Sequence, residues 1–485
     1  MIKRSPILSD QLCDIQGMLN SGFGWLTESR FWLLTIRDGQ ERQARAWLAK
    51  LVRSGLVVSA KRVRDRKKNE RTPITEAVAI AFSYSGLAKL GFRETSKHPF
   101  PTPFRSGMGS PLRESLLRDI PRQQWRWSDV EGCEGRQTVH VVVANWRLPD
   151  AAQQMPLPEP DTYCITTVEN RPGSFKDGKL YEPFGFRDGI AQPVIRGLRQ
   201  EDGDNPKRVR QEAGAMYEDR LVDPGEFVLG YRNGYDELTY CPDVEHWTES
   251  GRATHPGGRF TLNGSYLAVR QIQQDVDAFN ALAAASPPQG GPAICEKLMG
   301  RSKNGLPLSW TGDRNTPVSD SRADAFRYQV EDANGFMCPQ GAHIRRVNPR
   351  DSLGVDVKSG ITSSKLHRLL RRGRPYREET GDKDKPKQGL FFIACNADLE
   401  RQFEFIHQRW MRNLHFGNLH DEDDPVVGSP ALPKKFTIPG LPSGEEVSLA
   451  ALTQTLGGGY FFLPGIKALE FIVAHGAGAP ATAPA

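Results

Sequence analysis

The 485-residue chain is 38% hydrophobic and 25% charged, which suits a soluble protein of two or three domains with a sizeable core. No apolar run reaches the length that spans a bilayer. The formal net charge of +6 is mild for this length and gathers at Lys61–Lys68 and between Arg368 and Arg377; the first cluster has no interleaved aromatics and reads as a solvated loop, which argues against nucleic acid as a partner.

Behind Lys3 and Arg4 no apolar core follows, so the expectation is a cytoplasmic protein without a secretory signal. Seven scattered cysteines with no CxxC pair fit reduced thiols. Cys241 and His246 have zinc-ligand chemistry but no second ligand pair, so no structural zinc is expected.

Phe31–Ile36 reads as a buried strand, and Asp38 and Gly39 open a helix with Ala44, Trp47, Leu48 and Leu51 on its apolar face. Val78, Ile80, Phe82 and Tyr84 alternate as a strand does, Ser85 begins a short helix, and Thr138–Asn145 is a further strand. The polar, aperiodic stretch from Arg199 to Arg220 is expected to separate a domain over 1–215 from another over 216–473. In the second, Ser265–Ile272 is a strand, and Asp275 caps a helix carrying Val276, Phe279 and Ala283. Gly389–Ala394 is another strand, and Asp398 opens a helix with Leu399, Phe403, Ile406 and Trp410 on one face. Strand–helix units with a capping Asp in each half point to two related α+β domains. Each is an antiparallel sheet covered by helices on one face, with a ligand pocket between or beside them. Residues 474–485, rich in Ala, Gly and Pro, are expected to form a disordered tail.

Three stretches could carry chemistry. In Phe336–Arg350 a small-residue turn precedes His343, and Arg345, Arg346 and Arg350 follow it. An imidazole can hold a metal through one ring nitrogen while the other is fixed by a hydrogen bond. Guanidiniums beside it suit a planar ligand bearing carboxylates or phosphates. In Glu182–Pro193, Gly185 and Gly189 flank Asp188, so the backbone can pass tight against a flat ligand. Among Phe184, Phe186 and Ile190 the carboxylate is expected to have a raised pKa and to give and take a proton. In His367–Tyr376 a helix would put Arg368, Arg371 and Arg372 on one face, with the leucines carrying at least one arginine inward. Together these supply what haem peroxidase chemistry needs. Iron takes a proximal imidazole, peroxide needs a base and then an acid, and a fixed positive charge must meet the charge that develops as the O–O bond breaks.

Gly185-Phe186-Arg187-Asp188-Gly189, Cys338 to Arg346 with Asn348-Pro349-Arg350, and Leu370 to Tyr376 stand in one order with Gly389 to Phe392, Glu400 to Ile406, Asp424-Pro425 with Gly428, and Gly458 to Pro464. By these segments the sequence resembles the dye-decolourising peroxidase family over roughly Asp14 to Val473. The resemblance implies two ferredoxin-like domains with antiparallel sheets, packed as a dimeric α+β barrel-like unit, and haem b held mainly by the C-terminal half. It implies His343 as the proximal iron ligand, Asp188 as the distal acid–base, and Arg371, four residues before Pro375, as the distal arginine, with Arg372 the neighbour most easily confused with it. Arg346 and Arg350 would meet the haem propionates, and Gly189 and Ile190 would lie against the cofactor. Asp398 or Glu404 would hold the second nitrogen of His343. Where some branches carry an asparagine two residues past the distal arginine, this chain has Gly373, leaving Asp188 and Arg371 as the main distal polar groups. The implied activity is reduction of hydrogen peroxide with one-electron oxidation of bulky aromatic reductants such as dyes and phenols, with no membrane partner and room for a homo-oligomer. Trp410 and Tyr460 could relay electrons from reductants too large for the pocket, although both read first as core aromatics. The alternative is a non-enzymatic haem-binding or haem-delivery protein on the same fold, which would keep His343 but have no use for Asp188 and Arg371.

Overall fold

The computed structural model describes residues 8–66, 72–119, 125–133, 135–171, 173–198, 216–247, 259–284, 292–313, 319–379, 386–428, 434–440 and 446–475. Lys67 and Lys68 of the first basic cluster, residues 199–215 of the expected domain boundary and residues 476–485 of the expected tail lie outside the described residues.

The first half supplies strands β1 (Glu28–Ile36), β2 (Glu76–Phe82), β3 (Val141–Arg147) and β4 (Tyr163–Glu169), hydrogen-bonded in the order β2-β3-β1-β4. The second supplies β5 (Ser265–Gln274), β6 (Leu370–Arg371), β7 (Arg374–Glu378), β8 (Lys387–Asn396) and β9 (Thr453–Leu463). Here β6 and β7 both pair with β8, which pairs with β5, which pairs with β9. All these pairings are antiparallel, as expected for an α+β protein of this class. The halves join where Phe462 of β9 pairs with Phe82 of β2. At the other edge Asn170, just past β4, bridges to Tyr376, and the Arg171 N–H donates to the Pro375 carbonyl at 3.0 Å. Each half thus covers an edge of the other, so these edges offer few free backbone groups to another chain.

Alternation along the strands divides two cores. Phe31 and Leu33 point to an interior they share with Val142, Leu267, Phe391 and Ile393, where Phe31 stacks on Phe391 with ring centroids 4.4 Å apart. Trp32, Leu34 and Ile36 point the other way, onto Trp47, Leu48 and Leu51 of helix α1 (Glu41–Arg53). Period-2 alternation in the strand meets helical spacing in α1, and both faces are buried. Burying each such side chain contributes about 1.5–3 kcal/mol. The closing helix α2 (Ile466–Ala474) lies beside α1, so Ala474 belongs to a helix rather than to the expected tail.

Two expectations change. The segment after Asp398 is helical, with Asp398 Oδ1 accepting the Arg401 N–H at 3.0 Å. Its bonds reach five residues back, however, from the Glu404 N–H to Leu399 and from the Arg412 N–H to His407, so Glu400–Glu404 and Ile406–Met411 are π-helical. Such wide turns recur at functional sites. The stretch from Arg368 to Tyr376 is not a helix: β6 and β7 run extended along β8 in one register through Gly373. A Cβ on Gly373 would stand 2.4 Å from the Phe391 carbonyl oxygen, so this close approach to β8 needs glycine. In an extended chain Arg371 and Arg372 point to opposite sides, not to one face. Strands β4 and β9 had no clear sequence signal. The first is rich in threonine, and the second contains Gly457-Gly458-Gly459, which propensity counts against a strand. Among the described residues no helix is long and apolar enough to cross a membrane.

Candidate active site

On the outward face of the second half, Ile272, Leu390 and Phe392 alternate with the inward residues of β5 and β8 and form one wall of a cavity of about 290 Å³. Val347, Ile406, Met411 and Val426 contribute to its apolar lining from the π-helical segment and the loops around His343. The slot is lined by apolar groups with a few polar ones, as small-molecule sites are.

His343 begins a short helical stretch, His343–Val347, and lines the cavity with its ring about one-quarter exposed. Its Nδ1 lies 2.9 Å from Oδ2 of the fully buried Asp424, whose Oδ1 accepts the N–H groups of Val426 and Val427 at 2.9 Å each. Burial pushes the Asp424 carboxyl up, but His343 and these amides outweigh it and bring it down to about 2, so it is an anion at neutral pH. With Nδ1 donating to that anion, Nε2 keeps its lone pair for a metal. The expected partners do other work. Asp398 caps the π-helical segment, and Glu404 accepts Arg113 at 2.6 Å and the Tyr460 hydroxyl at 2.7 Å. Asp424 lies 81 residues from His343, beyond the reach of any local spacing rule; the only signal for it was its place in the Asp424-Pro425 segment. Asp424→Asn is expected to weaken haem retention roughly ten- to a hundredfold in a haem-transfer titration, because the ring loses the anion that orients it.

Asp188 and Arg371 also line the cavity. Gly185 and Gly189 sit at φ +90° and +86°, which L side chains rarely adopt, and so shape the loop that presents Asp188. The Gly189 N–H donates to Asp188 Oδ1 at 2.6 Å, and Arg371 Nη2 stands 3.4 Å from the same oxygen. Gln192 Oε1 accepts the Arg371 N–H at 3.0 Å and ties the loop to β6. The Asp188 side chain is 31% exposed and faces a guanidinium. Ile190 lies along the same loop and is buried. Arg372 turns away, donating to the carbonyls of Met18 and Leu19 at 2.6 and 3.0 Å. No asparagine fits at position 373, since its Cβ would strike the β8 backbone.

The arginines after His343 divide. Arg346 is fully buried and absent from the cavity wall; it donates to the carbonyls of Gly341, Trp410, Asn413 and Glu422 at 2.6–3.2 Å. It is an internal brace, and its donors are already committed, which corrects the expectation that it meets a propionate. Arg346→Met, which leaves buried carbonyls without donors, is expected to cost about 3 kcal/mol or more, read as a lower urea midpoint at unchanged m. Arg350 does line the cavity, stacked 3.8 Å over Phe326 and bound to the Asp324 carbonyl and carboxylate. Asp324 also pairs with Arg220 and Arg301; burial alone would raise its pKa, but these guanidiniums hold it below the usual carboxylate range. Arg368 joins Arg301 and Arg350 at the cavity wall, with one hydrogen bond, 3.3 Å to the Ala191 carbonyl, and burial lowers its pKa to about 10. Among the described residues Asp324 is shared by Arg220, Arg301 and Arg350, which leaves this end of the cavity cationic. Arg368 stands in the stretch expected to carry an arginine inward; Arg301 was not foreseen, because its approach depends on chain segments far apart in sequence. Trp410 and Tyr460 are buried and do not line the cavity.

The donor set fits haem. It has an imidazole nitrogen free toward an apolar slot, a carboxylate–guanidinium pair on a separate chain segment, and a cationic end for two propionates, where buried Arg350 Nε has no partner among the described residues. Fold and cavity together define an α+β protein with a pocket suited to haem. Residues 233–421 match the family model for Dyp-type peroxidase, C-terminal. The chain is 30% identical over 485 residues to the multifunctional dye peroxidase DyP2 of Amycolatopsis sp., covering 91% of this chain and 92% of that protein. It is 28% identical over 442 residues to the dye-decolorizing peroxidase msp1 of Mycetinis scorodonius, covering 83% and 77%. The crystal structure of a DyP-type peroxidase from Anabaena sp. superposes with a TM-score of 0.72 at 22% identity, covering 96% of this chain and 95% of that one, a likeness of fold. The chain belongs to the dye-decolourising peroxidase family, and its cofactor is haem.

Proposed function

We propose that the protein is a haem b peroxidase that reduces hydrogen peroxide and oxidises bulky aromatic compounds, dyes and phenols among them. The observation that carries this reading is the pairing of Asp188 with Arg371 at 3.4 Å in the cavity that His343 also lines. Haem supplies a redox-active iron able to take two oxidising equivalents from a peroxide. Asp188 takes the first proton of the peroxide and returns it to the outgoing oxygen, with Oδ1 steadied by the Gly189 N–H. Arg371 holds a positive charge where negative charge gathers during O–O cleavage, with its backbone tied to the Asp188 loop through Gln192. His343 would hold the iron through Nε2, and Asp424 holds the ring. Arg350 and Arg368, not Arg346, would meet the propionates, since their guanidiniums face the cavity. A haem-delivery protein would need no such acid–base pair. The test is spectroscopic: the haem-reconstituted protein should show a Soret band that shifts on adding peroxide and returns as an added phenol or dye is consumed. A band indifferent to peroxide would overturn the reading.

A further inference from the structure

Glu182 stands at the start of the loop that presents Asp188 and lines the cavity, yet the peroxide chemistry has no step for it. It is 5% exposed, and among the described residues no cation pairs with it. Its Oε1 accepts the Phe186 N–H at 2.8 Å, and its Oε2 accepts the Phe184 N–H at 3.0 Å and Gln274 Nε2 at 2.7 Å. Its own N–H donates to the Phe186 carbonyl at 2.9 Å. One carboxylate therefore closes the loop on itself at Phe186, two residues before Asp188, and fastens it to β5 through Gln274. The rings of Phe184 and Phe186 meanwhile pack on Phe279 with centroids 4.1 and 6.0 Å away. A buried carboxylate without a counter-charge is costly, and here charge-assisted hydrogen bonds offset the cost.

We propose that Glu182 is a positioning residue for the peroxidase reaction: its ionised carboxylate, closed on the N–H groups of Phe184 and Phe186 and on Gln274, sets the stance of Asp188 against Arg371. The inference rests on the peroxidase reading above. It carries a pH dependence. Burial pushes the Glu182 carboxyl up to about 7 against the pull of its hydrogen bonds, and the Asp188 charge adds to the rise. The other charged groups around it are Arg187 on its own loop, Lys303 beside Gly185, and Asp275 after β5, which turns to the Ala278 N–H. Once neutral, the carboxyl gives up an acceptor and becomes a donor, so it no longer receives the Phe184, Phe186 and Gln274 N–H groups as an anion does. The folded protein holds this proton up to about pH 7, whereas the ordinary value is 4.5. The group's contribution to stability is thus fully present below that lower value and is lost as pH rises through the folded one. The loop clamp is strongest above about pH 7, at some cost to global stability.

The experiment has two arms. In haem-loaded protein, Glu182→Gln should lower kcat/KM for hydrogen peroxide about tenfold near pH 8 with the Soret band intact, and the two proteins should converge near pH 5, where both side chains are neutral. A ratio that stays constant with pH, or no difference, overturns the proposal; a merely structural role would move thermal stability and leave the profiles parallel. In haem-free wild type, hydrogen exchange of amides in residues 182–189, corrected for intrinsic base catalysis, should slow as pH rises through about 7, and Glu182→Gln should abolish that step. Absence of the step in wild type also overturns the proposal, whether or not the variant folds. If wild type fails to turn over peroxide, the peroxidase reading falls, and the exchange arm still decides whether Glu182 clamps the loop.

Discussion

Replacing His343 with alanine is expected to abolish the normal Soret band of the haem-reconstituted protein and to weaken haem retention by more than about a hundredfold. Loss of an outer partner such as Asp424 alone costs roughly ten- to a hundredfold, and loss of the ligand itself costs more. The apolar walls and the arginines at the cationic end remain in the variant, so some haem should still enter, without the His343 ligand. Added imidazole should restore a band near the wild-type position, because the substitution leaves a space the size of the lost ring beside Asp424. Circular dichroism should stay close to wild type, since the ring is about one-quarter exposed and belongs to neither sheet core. A variant that binds haem and responds to peroxide as wild type does would remove His343 from the proximal role.

Asp188→Asn and Arg371→Leu are expected to leave the Soret band in place and to slow the reaction with peroxide. Loss of the acid–base carboxylate should lower kcat/KM for peroxide by about 10²- to 10⁴-fold, the usual size of general acid–base catalysis. Loss of the guanidinium should cost about 10²- to 10³-fold, the size seen when one preorganised charge-stabilising group is removed. The two groups share an oxygen contact at 3.4 Å, so the double variant should be well short of the product of the single effects. Stopped-flow mixing of each haem-loaded variant with peroxide measures this directly. Rates within about threefold of wild type for both single variants would leave the acid–base assignment without support. Arg372→Leu is the contrast. Its guanidinium faces the Met18 and Leu19 carbonyls rather than the cavity, so it should lower stability while sparing the peroxide step.

Much of this protein is settled by local chain chemistry. Alternation in Phe31–Ile36 and helical spacing in α1 already say which sides face the core, because side-chain direction follows backbone period. The glycines at 185 and 189 already say where the chain must turn, because only glycine adopts their φ cheaply. His343, Asp188 and Arg371 stand in segments whose residue types announce their chemistry, and the fold brings all three to one cavity. What only the tertiary structure decided is how each charged group finds its partner. Asp424 rather than Asp398 or Glu404 meets His343, because that pairing depends on where a loop 81 residues away comes to rest. Arg346 looks like a ligand arginine in sequence, yet backbone carbonyls take up its donors, and carbonyls carry no mark of identity in a sequence. Arg368 and Arg371 face the cavity while Arg372 faces the N-terminal segment, because the stretch is an extended edge on β8 and not the helix its spacing permits. A side chain's chemistry is local, but whether a buried donor or charge is free for a ligand depends on every neighbour that has already satisfied it.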